Sequence, residues 1–396
     1  MNKNKAEVLE KLHNKQIRMH KPSQGLPGRE KDLLSLLFEG NGLSVDYQQP
    51  SWQNWYREFF ENTAERLDIV YIPDGWLPAA IRLGKLRPIP EQKEWTACYT
   101  RSILEKGMRD SRLFGIPVYG AVWCLLYNAD LMEGAGMNQA PRTWRELRKC
   151  LQLLQAKYPD IIPYGLSNDS DGHFIDHGWI YLFAGGRSRW DKNGRCMINN
   201  QHTEAGLRFL RSMMDQQLMT RPELSSEHIK RLFLDGKIAM TIGPADIVLE
   251  HRMQEQGFRL GSSLVPFPEG GRSQSLASVG LYGVSSNSHA SEAAVKELLG
   301  LLASPKMLQR HATAVGMIPV HKGGSYYRGD ECMSVYAKQM EKTSHLPHWP
   351  IPYANWVNDH ILSFLMGEGE PLTVLNHLSE RINEGLLEIG KTSKRV

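Results

Sequence analysis

The stretch from Leu113 to Leu147 changes its hydrophobic period twice, and no other segment constrains the fold as strongly. The apolar run from Val118 to Tyr127 is rich in β-forming residues and predicts a strand. Asn128 then begins a short helix. After a glycine break, Thr143 is placed to cap a second helix, with Glu146 three residues later to complete a capping box. The segment therefore predicts a strand followed by two short-spaced helices.

Two stretches of the chain match a known pattern in order and spacing. The first carries a Gly-hydrophobic-Pro opening, a Tyr-Asn strand end, an Asp-Leu helix start and a Pro-x-Thr-Trp-x-Glu-Leu run, at Gly115, Ile116, Pro117, Tyr127, Asn128, Asp130, Leu131, Pro141, Thr143, Trp144, Glu146 and Leu147. The second is FLDGKIAMTIGP, from Phe233 to Pro244. Both resemble the family 1 extracellular solute-binding proteins, the maltose-binding-protein-like receptors of sugar-importing ABC transporters. The resemblance extends from residue 17 to the C-terminal helices.

The first third of the chain alternates strands with helices. Ile17–His20, Leu43–Tyr47 and Leu67–Ile72 are predicted strands, and Trp52–Phe60 is a predicted helix. This alternation favours a mostly parallel sheet with crossover helices, so we expect an α/β fold.

The resemblance implies a two-lobed periplasmic-binding-protein fold of type II, in which each lobe is a mostly parallel sheet flanked by helices. It implies three hinge crossings, near 117–122, 278–284 and 316–322. The expected lobes are an N-terminal one of residues 1–118 and 284–320, and a C-terminal one of residues 119–283 and 321–396.

Composition excludes several classes of protein. The 396 residues are 41% hydrophobic and 23% charged, which is ordinary for a globular protein. The net charge of +4 is small and its Lys and Arg residues are scattered, so we expect no nucleic-acid partner. No apolar run is long enough for a membrane span. The five cysteines form no Cys-x-x-Cys pair and leave at least one free thiol, which suits a reducing compartment.

The N-terminus MNKNKAEVLEKLHNK is charged and carries neither the apolar core of a signal peptide nor a lipid-acceptor cysteine. Two locations follow as alternatives. The protein is extracytoplasmic, in the periplasm or on the outer face of the membrane, if an export signal was removed. It is cytoplasmic if residue 1 is the true start.

The loops after the first three predicted strands carry a mixture that suits a sugar, because a sugar presents hydroxyls and an apolar ring face. Open α/β sheets bind ligands at the carboxyl ends of their strands. The candidates there are Gln24, Gln48, Trp52, Asp74 and Trp76. The alternatives are that the glutamines are solvated, that Trp52 is helix core and that Asp74 caps a helix.

Further ligand candidates come from the resemblance. His173, with Asp171 beside it, precedes a helix where relatives reach the cleft, and Asp246 follows a strand where Ala245 replaces the family's usual aromatic. Asp246 serves equally well as a helix N-cap. The remaining candidates are the aromatic residues Trp349, Tyr353 and Trp356 near the C-terminus, and Tyr119 and Tyr282 on crossing strands.

Two motifs are weaker than they look. His173, Asp176 and His177 have helical spacing that could hold a metal, but no fourth ligand is suggested, so we expect no metal site. The P-loop pattern GLLEIGKT from Gly385 to Thr392 ends a helix instead of opening one, so it does not predict phosphate binding there.

These observations predict a non-enzymatic receptor that closes around a carbohydrate between its lobes. We expect it to use no cofactor, to present the ligand to the permease subunits of an ABC transporter, and to be a monomer. One alternative is a cytoplasmic sugar-sensing domain of a regulator with the same fold. A less favoured alternative is a glycoside-active enzyme, which needs two carboxylates facing one sugar, such as Asp74 with Asp171 or Asp246.

Overall fold

The computed structural model describes residues 16–22, 28–61, 66–90, 93–167, 177–183, 195–221, 224–254, 257–322, 329–344 and 351–392. The chain divides into two compact units. Unit 1 runs to Ala121 and again from Ser278 to Tyr326, and unit 2 takes Val122 to Ala277 and Tyr327 to the end. Each unit is therefore built from separate stretches of sequence.

Fourteen strands lie in the part of the chain that the structure describes. They are β1 Ile17–His20, β2 Val45–Gln48, β3 Ile69–Pro73, β4 Leu86–Arg87, β5 Met108–Arg109, β6 Arg112–Leu113, β7 Gly115–Val122, β8 Cys124–Asn128, β9 Ile162–Gly165, β10 Ile238–Gly243, β11 Leu260–Ser263, β12 Ser275–Ser285, β13 Ile318–Pro319 and β14 Thr343–Ser344.

The same described ranges contain sixteen helices. They are α1 Arg29–Gly40, α2 Trp52–Tyr56, α3 Leu77–Arg82, α4 Lys93–Thr96, α5 Arg101–Leu104, α6 Ala129–Gly134, α7 Trp144–Lys157, α8 His177–Phe183, α9 Gln201–Asp215, α10 Ser226–Leu234, α11 Asp246–Arg252, α12 Glu292–Leu302, α13 Pro305–Val315, α14 Glu331–Met340, α15 Ile351–Leu365 and α16 Pro371–Thr392. A π-helical turn at Arg57–Glu61 continues α2, and 3-10 turns lie at Asp74–Trp76 and Glu105–Gly107.

The sheet of unit 1 has the strand order β13-β7-β12-β3-β1-β2. β1 is parallel to both β2 and β3, whereas β12 runs antiparallel to β3 and places Tyr282 opposite Tyr71. The carboxyl ends of β1, β2 and β3 therefore lie side by side. β4 pairs with the end of β12, and β14 pairs with the beginning of β12, where both strands belong to unit 2.

Helices α1 and α13 pack together in unit 1. Gly28, with φ 86°, turns the chain into α1 and places Glu30 in its first turn. Ser304 caps α13 by accepting the Met307 N–H at 3.3 Å, and Gly316, with φ 72°, ends it in the left-handed conformation that glycine adopts readily. Both helices have a local reason to begin where they do.

The sheet of unit 2 has the order β11-β8-β10-β9, with β8 antiparallel to both neighbours and β9 parallel to β10. Its core is a single cluster in which Trp144 stacks on Phe209 at 4.8 Å between ring centroids. Burying such large aromatic and aliphatic side chains is the main favourable term in folding, at about 25 cal/mol per Å² of apolar surface.

The structure confirms the predicted helix starts in the opening segment and corrects its strand. The Asn128 side chain accepts the Asp130 and Leu131 N–H groups, and Thr143 with Glu146 forms the full capping box. The single strand predicted from Val118 to Tyr127 is wrong. It is split at Trp123 into β7 and β8, which pair in different sheets, because β8 bonds to β10 and β11 while β7 lies beside β12 and β13.

Among the residues described, no helix is both long enough and apolar enough to cross a membrane.

Candidate functional site

An aromatic cluster lies beside the carboxyl ends of β2 and β3 in unit 1. Trp52 is half-buried and meets Trp76 and Tyr71 edge-on, with ring centroids 6.0 and 6.1 Å apart. Trp76 is only 5% exposed and packs against Tyr56 and Phe60. Edge-to-face contacts of this kind fix ring orientation. Trp52 is thus more accessible than Trp76, and the buried Trp76 ring packs against it.

Polar side chains flank this cluster at the end of β2. Gln48 is exposed and donates through Nε2 to Asp46 Oδ1 at 2.6 Å. An exposed amide next to a carboxylate offers a donor and several acceptors to a hydroxylated ligand. The predicted pairing of Gln48 with Trp52 therefore has a physical basis, because both lie at one edge of the sheet.

Asp74 is engaged by its own unit. Its Oδ1 accepts the Val279 N–H at 2.9 Å and lies 3.4 Å from the Ser278 hydroxyl, while Oδ2 is 3.9 Å from Lys106 Nζ. Its side chain does not cap the 3-10 turn at Asp74–Trp76. These contacts tie the end of β3 to the start of the unit 1 part of β12. Asp74 therefore stabilises the sheet whether or not it also meets a ligand.

A buried ion pair lies behind this edge of the sheet. Lys21 follows β1 directly and is 0% exposed, and its Nζ donates to Glu30 Oε2 at 2.7 Å and to the Pro22 carbonyl at 3.1 Å. His311 Nε2 lies against Glu30 Oε1, and Gln49 Nε2 is 3.3 Å from Oε2. Burial alone would raise the pKa of Glu30, but Lys21 and His311 hold it below its usual value. The pair is hydrogen-bonded on both carboxylate oxygens, as a buried charge must be.

Tyrosine rings enclose the ion pair. Lys21 Nζ lies 4.9 Å from the ring centre of Tyr71 and 5.6 Å from that of Tyr119. Tyr282 stacks on His311 at 6.1 Å and its hydroxyl has no hydrogen-bond partner among the described residues. Both predicted candidates, Tyr119 and Tyr282, are 0% exposed. Burial raises the pKa of each well above its usual value, so both stay neutral.

In unit 2, Asp246 is the first residue of α11 and directly follows the loop after β10. The N-cap position belongs to Ala245, and no side chain caps the helix. Asp246 is 8% exposed and its Oδ1 has no hydrogen-bond partner among the described residues. Burial raises the pKa of Asp246 to about 6, Lys230 lowers it and Glu250 raises it. The N-cap alternative is therefore not observed.

Trp356 lies in α15 and is half-buried against the core of unit 2. Its ring is 3.6 Å from that of His360, and the Arg381 guanidinium lies 5.8 Å from its centre. Arg381 adds a cation–π contact. Gln24, His173 and Trp349 lie outside the described residues, together with Asp171, and so does the side chain of Tyr353.

The structure thus brings Trp52 together with Trp76, and Tyr119 with Tyr282 through Tyr71 and His311. Within the described ranges, no group of three or more His, Cys, Asp or Glu side chains is placed to hold a metal ion. Two of the three residues in the weak metal motif, His173 and Asp176, lie outside those ranges.

Sequence reasoning did not find Lys21, Glu30 and His311. Lys21 lies directly after a predicted strand, and that position was the only local signal available for it. Glu30 and His311 are separated by 281 residues, so nothing in the local sequence indicates that they meet.

Comparison with known proteins places this architecture. Residues 40–325 match the model of a family described as bacterial extracellular solute-binding protein. A binding protein of Brucella abortus is 22% identical over 360 residues, covering 85% of this chain and 84% of its own. The galactooligosaccharide-binding protein of Bacillus subtilis is 23% identical and covers 60% of this chain and 56% of its own. A protein of Deinococcus radiodurans described as a probable ABC transporter-binding protein is 26% identical, covering 40% and 39%.

Solved structures show the same fold. Maltose-bound MalE3 of T. maritima superposes with a TM-score of 0.79 at 15% identity and covers 93% of this chain and 98% of its own. The sugar-binding protein MalE of Xanthomonas citri gives 0.79 at 16% identity, covering 96% and 100%. The expected periplasmic-binding-protein fold is confirmed. The described sheets are mixed and not mostly parallel as predicted, because β8 is antiparallel to both of its neighbours and β12 is antiparallel to β3. Since the matched model covers well over half of the sequence, the chain belongs to the bacterial extracellular solute-binding protein family.

Proposed function

We propose that this chain is the ligand-binding receptor of an ABC importer and that its ligand is a carbohydrate. Family membership supports the receptor role. The named ligands of the compared proteins, maltose and galactooligosaccharides, support the carbohydrate, and the Deinococcus protein supports the transporter. The cytoplasmic sensor considered from the sequence is not favoured, because the family is an extracellular one.

The half-buried ring of Trp52 beside exposed Gln48 carries the proposal. A sugar ring packs its C–H face on an aromatic surface while its hydroxyls bond to amides and carboxylates. Trp52 is held edge-on by Trp76 and Tyr71, so little side-chain freedom is lost when a ligand covers it. Gln48 and Asp46 supply polar groups at the same strand end. Five of the other predicted candidates are included in the proposal as further ligand contacts: Gln24, Tyr353, Trp349, Trp356 and His173.

We propose that the ligand is bound and released unchanged. The family and the compared structures are binding proteins. Hydrolysis of a glycoside needs two carboxylates that flank one bond. Asp74 is already bonded to the Val279 amide, and Asp246 is only 8% exposed. Chromatography of a bound oligosaccharide after long incubation should recover it intact, and released monosaccharide would contradict this part of the proposal.

We also propose the division into lobes that the sequence predicts, residues 1–118 with 284–320 and residues 119–283 with 321–396. The separation of the chain into two compact units supports it. We propose that the receptor is a monomer located outside the cytoplasm. Its protein partner would be the permease subunits of the importer. The closing movement of the lobes stays a prediction.

A thermal-shift screen tests the carbohydrate directly. The panel should contain glucose, maltose, longer maltooligosaccharides and galactooligosaccharides, with amino acids and short peptides as chemically different competitors. A ligand at 100 times its dissociation constant adds about 2.7 kcal/mol to stability, which is readily measured. We expect at least one carbohydrate to raise the melting temperature. Stabilisation by a peptide or amino acid and by none of the sugars would contradict the proposal.

A further inference from the structure

A short hairpin in unit 1 is held in an unusual backbone conformation. Strands β5 and β6 are joined by a two-residue turn of Asp110 and Ser111, whose φ angles are +48° and +60°. A hairpin turn with both central residues at positive φ normally takes Asn-Gly or Gly-Gly. Aspartate tolerates the left-handed region, but serine adopts it uncommonly. The turn therefore costs free energy that a glycine would have avoided.

The residues flanking this turn repel each other. Arg109 and Arg112 are directly opposite across the hairpin, and like charges in that position are destabilising. Neither guanidinium has a carboxylate partner among the described residues. Arg112 instead lies 5.6 Å from the ring centre of Phe114. Partial burial and then Arg109 lower the pKa of Arg82, which ends α3, so a third guanidinium lies near the pair.

The nearby carboxylates of Glu105 and Asp74 already have other partners. Glu105 Oε1 accepts from Arg101 Nε at 2.7 Å, and Asp74 has Lys106 at 3.9 Å as well as the Val279 amide. Asp110, at the tip of the turn, is the exception. The positive charge of Arg82, Arg109 and Arg112 is therefore only partly balanced by carboxylates in the part of the chain that the structure describes.

A surface pocket of about 500 Å³ opens beside the hairpin. Its lining residues include the polar Arg101, Arg109 and Ser111 and the apolar Leu104 and Met108. Glu105 and Asp110 also line it, so an anion would have to face the Arg109 side. This volume is ample for a phosphate or diphosphate group and a small attached moiety.

We propose that this pocket is a second binding site, which takes a phosphate-bearing ligand on the guanidinium of Arg109, with Arg82 and Arg112 adding to its positive field. A guanidinium donates two parallel N–H bonds to a phosphate, and such charge-assisted pairs are about twice as strong as neutral hydrogen bonds. Bound phosphate would offset the Arg109–Arg112 repulsion. The site is built from unit 1 alone and does not depend on the carbohydrate proposal.

The test is calorimetric titration of the whole protein with inorganic pyrophosphate, at constant ionic strength set with sodium chloride. The variants are Arg109→Gln, Arg82→Gln and the matched control Arg310→Gln. Arg310 is an exposed arginine of α13 in the same unit, without a carboxylate partner among the described residues. A parallel arm measures co-sedimentation with phosphatidylcholine vesicles that contain or lack phosphatidylglycerol, which separates soluble phosphate from a lipid headgroup.

We expect pyrophosphate to bind the wild type and Arg310→Gln alike, and Arg109→Gln to bind about tenfold more weakly, with a smaller loss in Arg82→Gln. Binding only to the phosphatidylglycerol vesicles, with the same dependence on Arg109, would support the site and identify a headgroup as its source. Absence of binding in both arms would overturn the proposal, and so would equal binding by Arg109→Gln. Unliganded Arg109→Gln should melt no lower than the wild type, because the substitution relieves repulsion.

Discussion

Lys21 and Glu30 form an ion pair that is buried from water. Burial determines how a substitution of either residue changes the stability of the protein. Removing one partner of a buried pair leaves the other charge uncompensated, at a cost of about 3–5 kcal/mol. Replacing both with apolar residues of similar volume is often neutral. Here Glu30 retains His311 and Gln49 when Lys21 is lost, so the cost should fall toward the lower end of that range.

We therefore predict that Lys21→Met lowers the free energy of unfolding by about 3 kcal/mol, whereas Lys21→Met with Glu30→Met recovers most of the loss. Urea denaturation followed by circular dichroism measures both. If the double variant proved less stable than the single one, the ion pair would not be the reason for the loss.

Asp246 gives a prediction with a definite pH dependence. Burial raises the pKa of this carboxyl from 3.8 to about 6, so the folded protein binds its proton more tightly than the unfolded chain does. Stability attributable to this group is therefore present at low pH and is lost as the pH rises through about 6. Asp246→Asn should raise the free energy of unfolding by about 1–3 kcal/mol near pH 7.5 and by much less near pH 4.

Thermal unfolding of the wild type and Asp246→Asn across that range provides the check. Glu250→Gln provides a comparison on the same helix. It removes a carboxylate that raises the pKa of Asp246 and that also accepts a hydrogen bond from Lys230 at 2.9 Å. A gain in Asp246→Asn that was equal at both pH values would show that charge burial is not its cause.

The elements of this fold differ in how far the sequence predicts them. The starts of α6 and α7 follow from Asn128 and from Thr143 with Glu146, because capping depends on residues within one helical turn. The break at Trp123 does not follow from local sequence. It arises because β8 pairs with β10 and β11, which lie more than a hundred residues away in the sequence and belong to a different sheet from β7.

The candidate site divides in the same way. Gln48, Trp52, Asp74 and Trp76 could be predicted as neighbours, since parallel strands bring their carboxyl ends to one edge. The exposure of each of these side chains could not be predicted, because it depends on how the aromatic rings pack against one another. Lys21, Glu30 and His311 were not predicted, since the network exists only after α13 packs on α1.

One ion pair joins two elements of unit 2 and offers a test at this scale. Arg252, at the end of α11, makes two parallel bonds of 2.8 Å to Asp330, whose Oδ1 also caps α14 by accepting the Met333 N–H at 3.1 Å. Arg252→Ala removes a half-exposed pair and should cost at most about 1 kcal/mol. Asp330→Ala also removes the cap and should cost about 1–2 kcal/mol.

Chemical denaturation of these two variants and of Arg252→Ala with Asp330→Ala completes the comparison. The double variant should be close in stability to Asp330→Ala alone, because the aspartate takes part in both interactions. Equal losses for the two single variants would mean that the cap contributes nothing.

At the scale of the whole molecule, the comparison with solved structures establishes the fold, whereas the ligand is a proposal. Structures with this architecture cover more than nine tenths of the chain at 15–16% identity, a level at which fold is retained while binding residues diverge. The half-buried aromatic ring of Trp52 is the feature of the described residues that best fits a sugar. The central claim is therefore that a carbohydrate binds on this ring.

Isothermal titration of the stabilising carbohydrate into wild type, Trp52→Ala and Asn54→Ala tests that claim most directly. Asn54 is an exposed residue of the same helix and offers no aromatic surface, so it controls for changes to α2. We predict wild-type affinity for Asn54→Ala, and for Trp52→Ala a loss of about 1–2 kcal/mol, roughly a five- to thirtyfold weaker dissociation constant. Unchanged affinity in Trp52→Ala, with its fold intact by circular dichroism, would contradict the account.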